Sequence, residues 1–542
     1  MTPLRTRALD ALRAAARRPN PIWLREVTQS VRAGRTPVAQ MLVTAMLTLV
    51  MCSMGGMASL FRTPASVGRT LYQAFFSMAF FVVALASPAI AANSVVSEHE
   101  GRTWEALLLT GMRPAEIARG KLLAAATTVG GYLAMIAPVG ALPFLFGGVA
   151  VTEVVVGFVY LGAFAAVGVT FGLAVGSRSP RAATAIGISL IVSFGTALFA
   201  FGVFGFGLSY AAHEAWPTVA AGHPVWLPTA YVRAPFGVAY AVYLLVVPAL
   251  CALLPLWFFY ELAVAAMTGP NDDRATGLKR WLLVASPVAA IGASLLVLVG
   301  AGASRFDASM AALVAYAVVS MLLVLVFVGD ALGPSRRVEW LWSRAGAGAV
   351  ARWLGPGLPR TMTLVLVTGL LGIALVAGTG VVAALALGSS PAADVARLVA
   401  VADVSASFFL FLVGLATWAR ARAAAASGAR IVVVVGFAAG TFGPWVAAMI
   451  GGVLRSSESL LVIASPSPLF VVKAFDALAA GRIDAAVIAS LACALGWATA
   501  GVALFAVGVR RTGQIVAAHH DALARADAQL AAEDAAAEGV GA

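Results

Sequence analysis

The 542-residue chain has little charge: Asp, Glu, Lys and Arg make up 11% of it, whereas 61% of its residues are hydrophobic. A soluble domain is usually about a quarter charged, so this composition excludes an ordinary water-soluble fold and a disordered chain. Cysteine is also scarce. The three cysteines lie far apart within apolar runs, which excludes a disulfide framework or a cysteine-based metal site and predicts buried small side chains at Cys52, Cys251 and Cys493.

Long, continuous apolar runs are what the sequence does contain. A helix needs about 20 apolar residues to cross a bilayer, whereas a transmembrane β-barrel would show alternating segments of about ten residues. The sequence therefore predicts an all-α polytopic helical membrane protein with about twelve transmembrane helices in two six-helix halves. The predicted spans are 38–61, 70–92, 121–149, 153–176, 182–208, 237–265, 283–302, 308–330, 362–388, 398–419, 431–454 and 485–509.

The charged residues predict the orientation of these spans. The net charge is +12, which could indicate a nucleic-acid partner, but the basic residues point to the membrane instead. If both termini are cytoplasmic, 28 of the 36 basic residues fall in cytoplasmic segments. Dense Ala, Gly and Arg usage indicates a prokaryotic chain in the bacterial inner membrane. The predicted segments are a cytoplasmic N-terminus (1–37), a first bundle (38–266), a cytoplasmic linker (267–282), a second bundle (283–509) and a cytoplasmic Ala-rich tail (510–542).

An amphipathic helix is predicted before the first span. Asn20 followed by Pro21 is a good cap and first helical residue, and Arg25 and Glu26 follow within the same helix. Apolar residues recur every three or four positions, which predicts a helix lying in the cytoplasmic interface: Trp23, Leu24, Val27 and Val31. The alternative is a basic anchor of the kind with which any polytopic protein can begin.

The loop after the second span, residues 97–111, carries the most informative pattern. Ser97 and Glu100 have the spacing of a capping box, and Thr103 is a second candidate cap; either gives a short helix closed by Gly111. Its acidic and basic residues keep the loop out of the bilayer, and one face is apolar: Trp104, Leu107 and Leu108. Such a helix suits a groove on a cytoplasmic partner. The alternative is a solvated connector whose Trp and Leu rest on the membrane.

These residues, in this order, resemble the permease subunits of ABC transporters of the exporter type called type 2. The resemblance covers about residues 18–265, and the matching residues are Glu98, Glu100, Gly101, Thr103, Trp104, Glu105, Leu107, Leu108 and Thr110, then Pro114, Glu116, Ile117, Gly120 and Lys121 at the start of the third span. The resemblance implies that the N-terminal helix is a connecting helix. It also implies that the loop is a coupling helix received by a cytoplasmic ATP-binding subunit, which would hold ATP and Mg.

No catalytic or metal-binding constellation is found in the chain itself. Gly120-Lys121 is followed by Leu122 rather than Ser or Thr, so a phosphate-binding loop is missing and any ATPase is expected to be a separate chain. The protein is therefore predicted not to be an enzyme and to hold no cofactor. Carboxylates within spans are costly and often functional, which makes Asp403 and Glu261 a candidate intramembrane polar site; nearby serines that satisfy Asp403 are the alternative.

The leading functional hypothesis is the permease subunit of an ABC exporter, with a cytoplasmic ATP-binding subunit and the lipid bilayer as partners. The runner-up is an ion-coupled secondary transporter with twelve spans, and a membrane enzyme acting on lipid-linked sugars is the third. In the second half, the basic loop 336–344 lacks the Gly-Thr pattern, which favours an interfacial helix over a second coupling element. Whether the chain pairs with itself, with a second permease or only between its halves stays open.

Overall fold

The computed structural model describes residues 19–32, 35–59, 63–202, 215–216, 227–300, 304–387, 391–452 and 463–540. Within these ranges the chain forms helices and no strand, and twelve helices are long and apolar enough to cross a membrane. The protein is therefore an all-α, multi-pass membrane protein, as its apolar runs predict. Residues 1–18 of the predicted N-terminal segment lie outside the described residues.

The chain divides into two compact units, and the first ends at Gly269. Proline at the first helical position begins several of its helices, because proline lacks the backbone N–H that would be unpaired there. The helices of this unit are α1 (Pro21–Arg32), α2 (Arg35–Ser59), α3 (Pro64–Glu100), α4 (Trp104–Leu109), α5 (Pro114–Leu145), α6 (Val151–Gly176), α7 (Ala182–Ala200), α8 (Leu227–Arg233) and α9 (Val238–Met267). Of these, α2, α3, α5, α6, α7 and α9 are the candidate spans.

The second unit begins at Pro270. Its helices are α10 (Thr276–Val299), α11 (Ser304–Phe327), α12 (Arg336–Arg344), α13 (Ala349–Leu354), α14 (Leu358–Leu387), α15 (Pro391–Arg420), α16 (Ala426–Gly452), α17 (Phe475–Ala479) and α18 (Ala485–Val540). The candidate spans are α10, α11, α14, α15, α16 and α18. A short 3₁₀ helix, Pro468–Ala474, precedes α17.

Several predicted boundaries differ from the structure. The second span does not end at residue 92 but continues as a helix to Glu100, so Ser97 lies inside α3 and caps nothing. The predicted linker 267–282 is helical from Thr276 onward, because α10 begins there. The predicted tail from residue 510 continues α18 without a break. Cys52 and Cys251, predicted to be buried, are exposed on their unit and Cys493 is half-buried.

Close helix packing in the first unit depends on glycine. Gly168, Gly172 and Gly176 recur on one face of α6, and this face packs against α3 around Pro88. A Cβ added at Gly176 would lie 2.7 Å from the carbonyl oxygen of Ala92, and one at Gly172 would overlap the backbone of Pro88. Small residues at such crossings let two membrane helices approach closely. They hold α6 tightly against α3, the helix that precedes α4.

Both units use the same pattern of helix packing. The spans of each unit can be numbered one to six in chain order. Span one then contacts spans two and three, and span two contacts spans three, four and five. Span three also contacts spans four and six, and span four contacts spans five and six. This set is the same in both units. The two halves therefore share an arrangement of spans, although the loops that follow their second spans have different sequences.

Candidate coupling site

A fully buried lysine lies in the region of the first unit where α3 ends and α5 begins. Lys121, in the second turn of α5, has a side-chain exposure of 0%. Its ammonium donates to the Glu26 Oε1 atom (2.6 Å) and to the backbone carbonyl of Ser94 (2.8 Å), and lies 3.5 Å from the Glu98 Oε1 atom. A buried ammonium is tolerated only when it is paired and hydrogen-bonded, and these three oxygens supply that.

Glu98 connects three parts of the chain through one carboxylate. Its Oε1 atom accepts a hydrogen bond from Arg25 of α1 and lies near Lys121 of α5, while its Oε2 atom accepts from the Thr103 hydroxyl at 2.9 Å. The backbone N–H of Thr103 also donates to the Glu98 carbonyl at 3.0 Å. Glu98 therefore links the start of α4 to α1 and to α5.

The four charged groups balance one another. Two cations, Arg25 and Lys121, face two carboxylates, Glu26 and Glu98. Burial raises the pKa of Glu26 above its ordinary value of 4.5, and the attraction of Lys121 and then of Arg25 opposes only part of this rise. Removing one partner from a buried pair leaves an uncompensated charge, which costs far more than the intact pair contributes. The cluster therefore fixes the relative positions of the segments that carry it.

Asn20 and Gly120 fit α1 closely onto α5. The Asn20 side chain accepts from the backbone N–H of Ile22 (3.0 Å) and donates to the carbonyl of Glu116 (2.8 Å). A Cβ added at Gly120 would lie 2.6 Å from the Asn20 oxygen and 2.8 Å from the Ile22 Cβ atom. Trp23 adds a further bond from its indole N–H to the Thr127 hydroxyl (3.0 Å). The predicted connecting helix is thus docked along α5.

The turn into α4 has an unusual backbone. Arg102 has a φ of 53°, a left-handed conformation that is uncommon outside glycine, whereas the neighbouring Gly101 has an ordinary φ of −76°. The helix α4 then runs from Trp104 to Leu109 and is followed by Gly111 with a φ of 74°. The predicted order of Thr103, a short helix and a closing glycine is therefore present, with Pro114 at the start of α5.

The apolar face of α4 turns toward its own unit, unlike the predicted outward docking face. Leu107 is buried in the core of the unit, and the Trp104 ring stacks on the His99 ring with centroids 4.6 Å apart. Nothing is described for the side chain of Leu108. The residues that α4 exposes are Glu105, Ala106 and Leu109, and Leu109 is 86% exposed.

The other predicted site residues fall into two groups. Glu100 accepts from the backbone N–H of Ala182 (2.8 Å) at the start of α7, and Glu116 accepts from the N–H of Arg113 (3.1 Å) at the start of α5, so both tie helix ends at this site. Glu261 instead accepts from Trp257 on its own helix (3.1 Å). Asp403 belongs to the second unit, where it is exposed midway along α15.

The second unit contains a corresponding buried lysine. Lys279, in the first turn of α10, donates to the carbonyl of Gly355 (2.5 Å) and lies 3.5 Å from Asp330. Asp330 also accepts from the Thr361 hydroxyl and from the N–H of Gly357 (3.3 Å). This cluster holds the two ends of the loop between α11 and α14 at the start of α10.

Sequence reasoning missed Lys279, the Ser94 carbonyl and the docking of Ile22. A signal was available for the lysines: the chain has only three among 36 basic residues, and two of them stand at the start of apolar helices. The partners could not be found in this way, because a carbonyl such as that of Ser94 leaves no mark on a sequence.

Comparison with known proteins adds no family assignment. No protein-family model matches the chain, and no curated protein matches it.

Proposed function

We propose that this protein is the membrane-spanning subunit of an ABC transporter of the exporter type, driven by a separate cytoplasmic ATPase that docks on α4 and its flanking turns. The observation that carries the proposal is the charged cluster around the buried Lys121, formed with Arg25, Glu26 and Glu98 and joined to α4 through Thr103. It unites the three segments on which the resemblance to exporter permeases rests.

The cluster suits a mechanical role. A force applied to α4 by a docked ATPase passes through Thr103 to Glu98, and from Glu98 to α1 and α5 through Arg25 and Lys121. Because Glu98 and Lys121 are buried and Glu98 bonds to all three segments, the segments move together rather than slide past one another. Closure of the ATPase pair would then shift the spans between inward-open and outward-open populations. ATP and Mg would be bound by the partner chain.

The location of the protein and the direction of transport are inferred from the sequence. The distribution of basic residues supports cytoplasmic termini in a bacterial inner membrane, which also puts α4 in the cytoplasm. Export rather than import rests on the resemblance to exporter permeases. The exposed residues Glu105 and Leu109 are the docking surface that α4 offers.

The proposal is tested by crosslinking from Leu109. A photoreactive amino acid, benzoylphenylalanine, replaces Leu109 in the full chain, which is irradiated in the native host membrane. The matched control carries it at Phe236, which is 84% exposed and lies at the opposite end of the unit, just before α9. We expect a crosslinked partner with a phosphate-binding loop from Leu109 and none from Phe236. Crosslinks to lipid alone, or the same partner from both positions, would contradict the proposal.

A second test separates docking from folding. Leu109→Ser removes an exposed apolar contact, so it should leave thermal stability unchanged while reducing ATPase co-purification about tenfold, the scale expected for one well-packed interface residue. Phe236→Ser is the control for co-purification and should leave it unchanged. Unchanged co-purification in Leu109→Ser would place the partner elsewhere.

The second candidate, an ion-coupled transporter with twelve spans, is favoured by Asp403. This carboxylate is exposed midway along a span, a position that is costly unless it serves a polar path or a proton. The two candidates differ in their energy source. Uptake or extrusion driven by a proton gradient in vesicles that contain only this chain, and abolished by Asp403→Asn, would favour the second candidate over the first.

A further inference from the structure

The loop between α11 and α14 of the second unit presents a basic surface with exposed apolar residues. Its two short helices, α12 and α13, together with the first residues of α14, define what we call the basic platform. Val338 and Leu354 are buried beneath it. The platform contains one acidic residue, Glu339, and exposes four large apolar side chains and five arginines: Trp340, Leu341, Val350 and Trp353, with Arg336, Arg337, Arg344, Arg352 and Arg360.

The platform is held at the level where a span begins. The Thr276 hydroxyl donates to the carbonyl of Leu354 (3.3 Å), and Lys279 donates to the carbonyl of Gly355 (2.5 Å). Both donors lie in the first turn of α10, so the end of α13 is fixed beside the first turn of a membrane helix. Trp342 packs against Gly355, where an added Cβ would overlap its ring. The exposed side of α13 therefore lies at the edge of the hydrocarbon core of the bilayer.

Part of the platform's positive charge is uncompensated. Arg336 pairs with Asp527 and Arg337 with Asp272 (3.0 Å). Arg344 lies over the ring of Trp340, 5.1 Å from its centroid, and Arg360 donates to the carbonyl of Arg352. Among the residues that the structure describes, no carboxylate forms an ion pair with these last three arginines. Their guanidinium groups can therefore bind an anion from outside the chain.

We propose that the basic platform binds anionic phospholipid, with its arginines on the headgroup phosphates and Trp353 and Val350 inserted among the upper acyl chains. Guanidinium groups match phosphate oxygens in pairs, and tryptophan favours the boundary between headgroups and hydrocarbon. The combination of apolar residues and arginines on short helices at a span's edge is that of a surface-bound membrane helix. This proposal is independent of the ATPase proposal, because it concerns the other unit and a lipid partner.

The experiment reads lipid contact directly. Benzoylphenylalanine replaces Val350, which is 73% exposed, and the purified full-length chain is placed in nanodiscs of equal parts phosphatidylglycerol and phosphatidylcholine. After irradiation, mass spectrometry gives the ratio of the two lipids attached at position 350. We expect phosphatidylglycerol to dominate, and the preference to fall at high salt because the attraction is electrostatic.

Charge removal gives the decisive comparison. In the double variant Arg344→Gln and Arg352→Gln, the preference should fall about fivefold for each arginine removed. The control, Arg482→Gln, removes an exposed arginine at the opposite end of the unit, just before α18, and should leave the ratio unchanged. Both substitutions are on exposed residues, and unchanged melting temperatures would verify folding. Equal labelling of both lipids by the unaltered platform, labelling of protein instead of lipid, or a preference that survives the double variant would overturn the proposal.

Discussion

The two units pack their spans in the same pairs and each buries one lysine, yet the two lysines do different things. In both units a carboxylate stands where the second span ends: Glu98 at the end of α3, and Asp330 just after α11. In the first unit its lysine, Lys121, comes from the third span. In the second unit Lys279 comes from the first span.

The difference lies in what each lysine holds in place. Lys121 binds a second carboxylate, Glu26, from a helix that precedes the first span, so the first unit locks a peripheral helix onto its bundle. The second unit begins at Pro270 without such a helix, and Lys279 instead binds the Gly355 carbonyl and closes a loop. With the same arrangement of spans, the buried lysine of the first unit connects α1 to the bundle, and that of the second unit holds the loop before α14 in place.

The largest expected effect comes from replacing each buried lysine, which tests whether the two lysines differ in function. Lys121→Met leaves Glu26 and Glu98 with only the partly exposed Arg25 as a cation, and Lys279→Met removes the lysine paired with Asp330. Each substitution should therefore lower the free energy of unfolding by about 3–5 kcal/mol. Thermal unfolding in detergent measures the loss. The control is Lys473→Met, which removes an exposed lysine and should change little. Only Lys121→Met should also reduce ATPase co-purification; an equal reduction in Lys279→Met would remove the functional distinction between the units.

The next prediction concerns the fit of α1 on α5. Gly120→Ala forces a methyl group against Asn20 and Ile22, and overpacking of this kind typically costs about 1–3 kcal/mol. Gly130→Ala on the same helix meets no atom within 4 Å and is the matched control. Melting temperatures of the two variants in detergent would be compared. If Gly120→Ala were as stable as the control, α1 would not be docked as the structure has it.

The smallest expected effect is the pH dependence of Glu26, a group with no counterpart in the second unit. Its pKa is raised in the folded chain by burial, so its contribution to stability is full below the unfolded value and is lost as the pH rises through the folded pKa. Glu26→Gln removes this dependence. As the pH rises above the ordinary value of 4.5, the wild type should lose stability relative to Glu26→Gln, and the loss should end once the pH has passed the raised pKa of the folded chain.

The control for that titration is Glu533→Gln, which alters an exposed carboxylate of α18. Its melting temperature should follow that of the wild type at every pH. A constant difference between the wild type and Glu26→Gln across the range would show that Glu26 is ionised alike in the folded and unfolded chain.

The local pattern of the candidate site was predictable in part. Thr103, Gly111 and Pro114 mark the short helix and its ends, because capping and turn chemistry depend on neighbouring residues. Which way the apolar face of α4 turns was not predictable, because Trp104 and Leu107 could contact either a partner or their own bundle. Periodicity defines an apolar face but does not say what covers it.

The sequence by itself determined that this chain is an all-α membrane protein, with twelve candidate spans among the residues that the structure describes, because a long apolar run has few other stable states than a helix in lipid. Only the tertiary structure decided that Glu26, Glu98 and Lys121 meet, since residues up to 95 positions apart come together only through the packing of α1, α3 and α5. It also decided that Lys279 faces Gly355, because a backbone carbonyl is the same in every residue and its position depends on the fold alone.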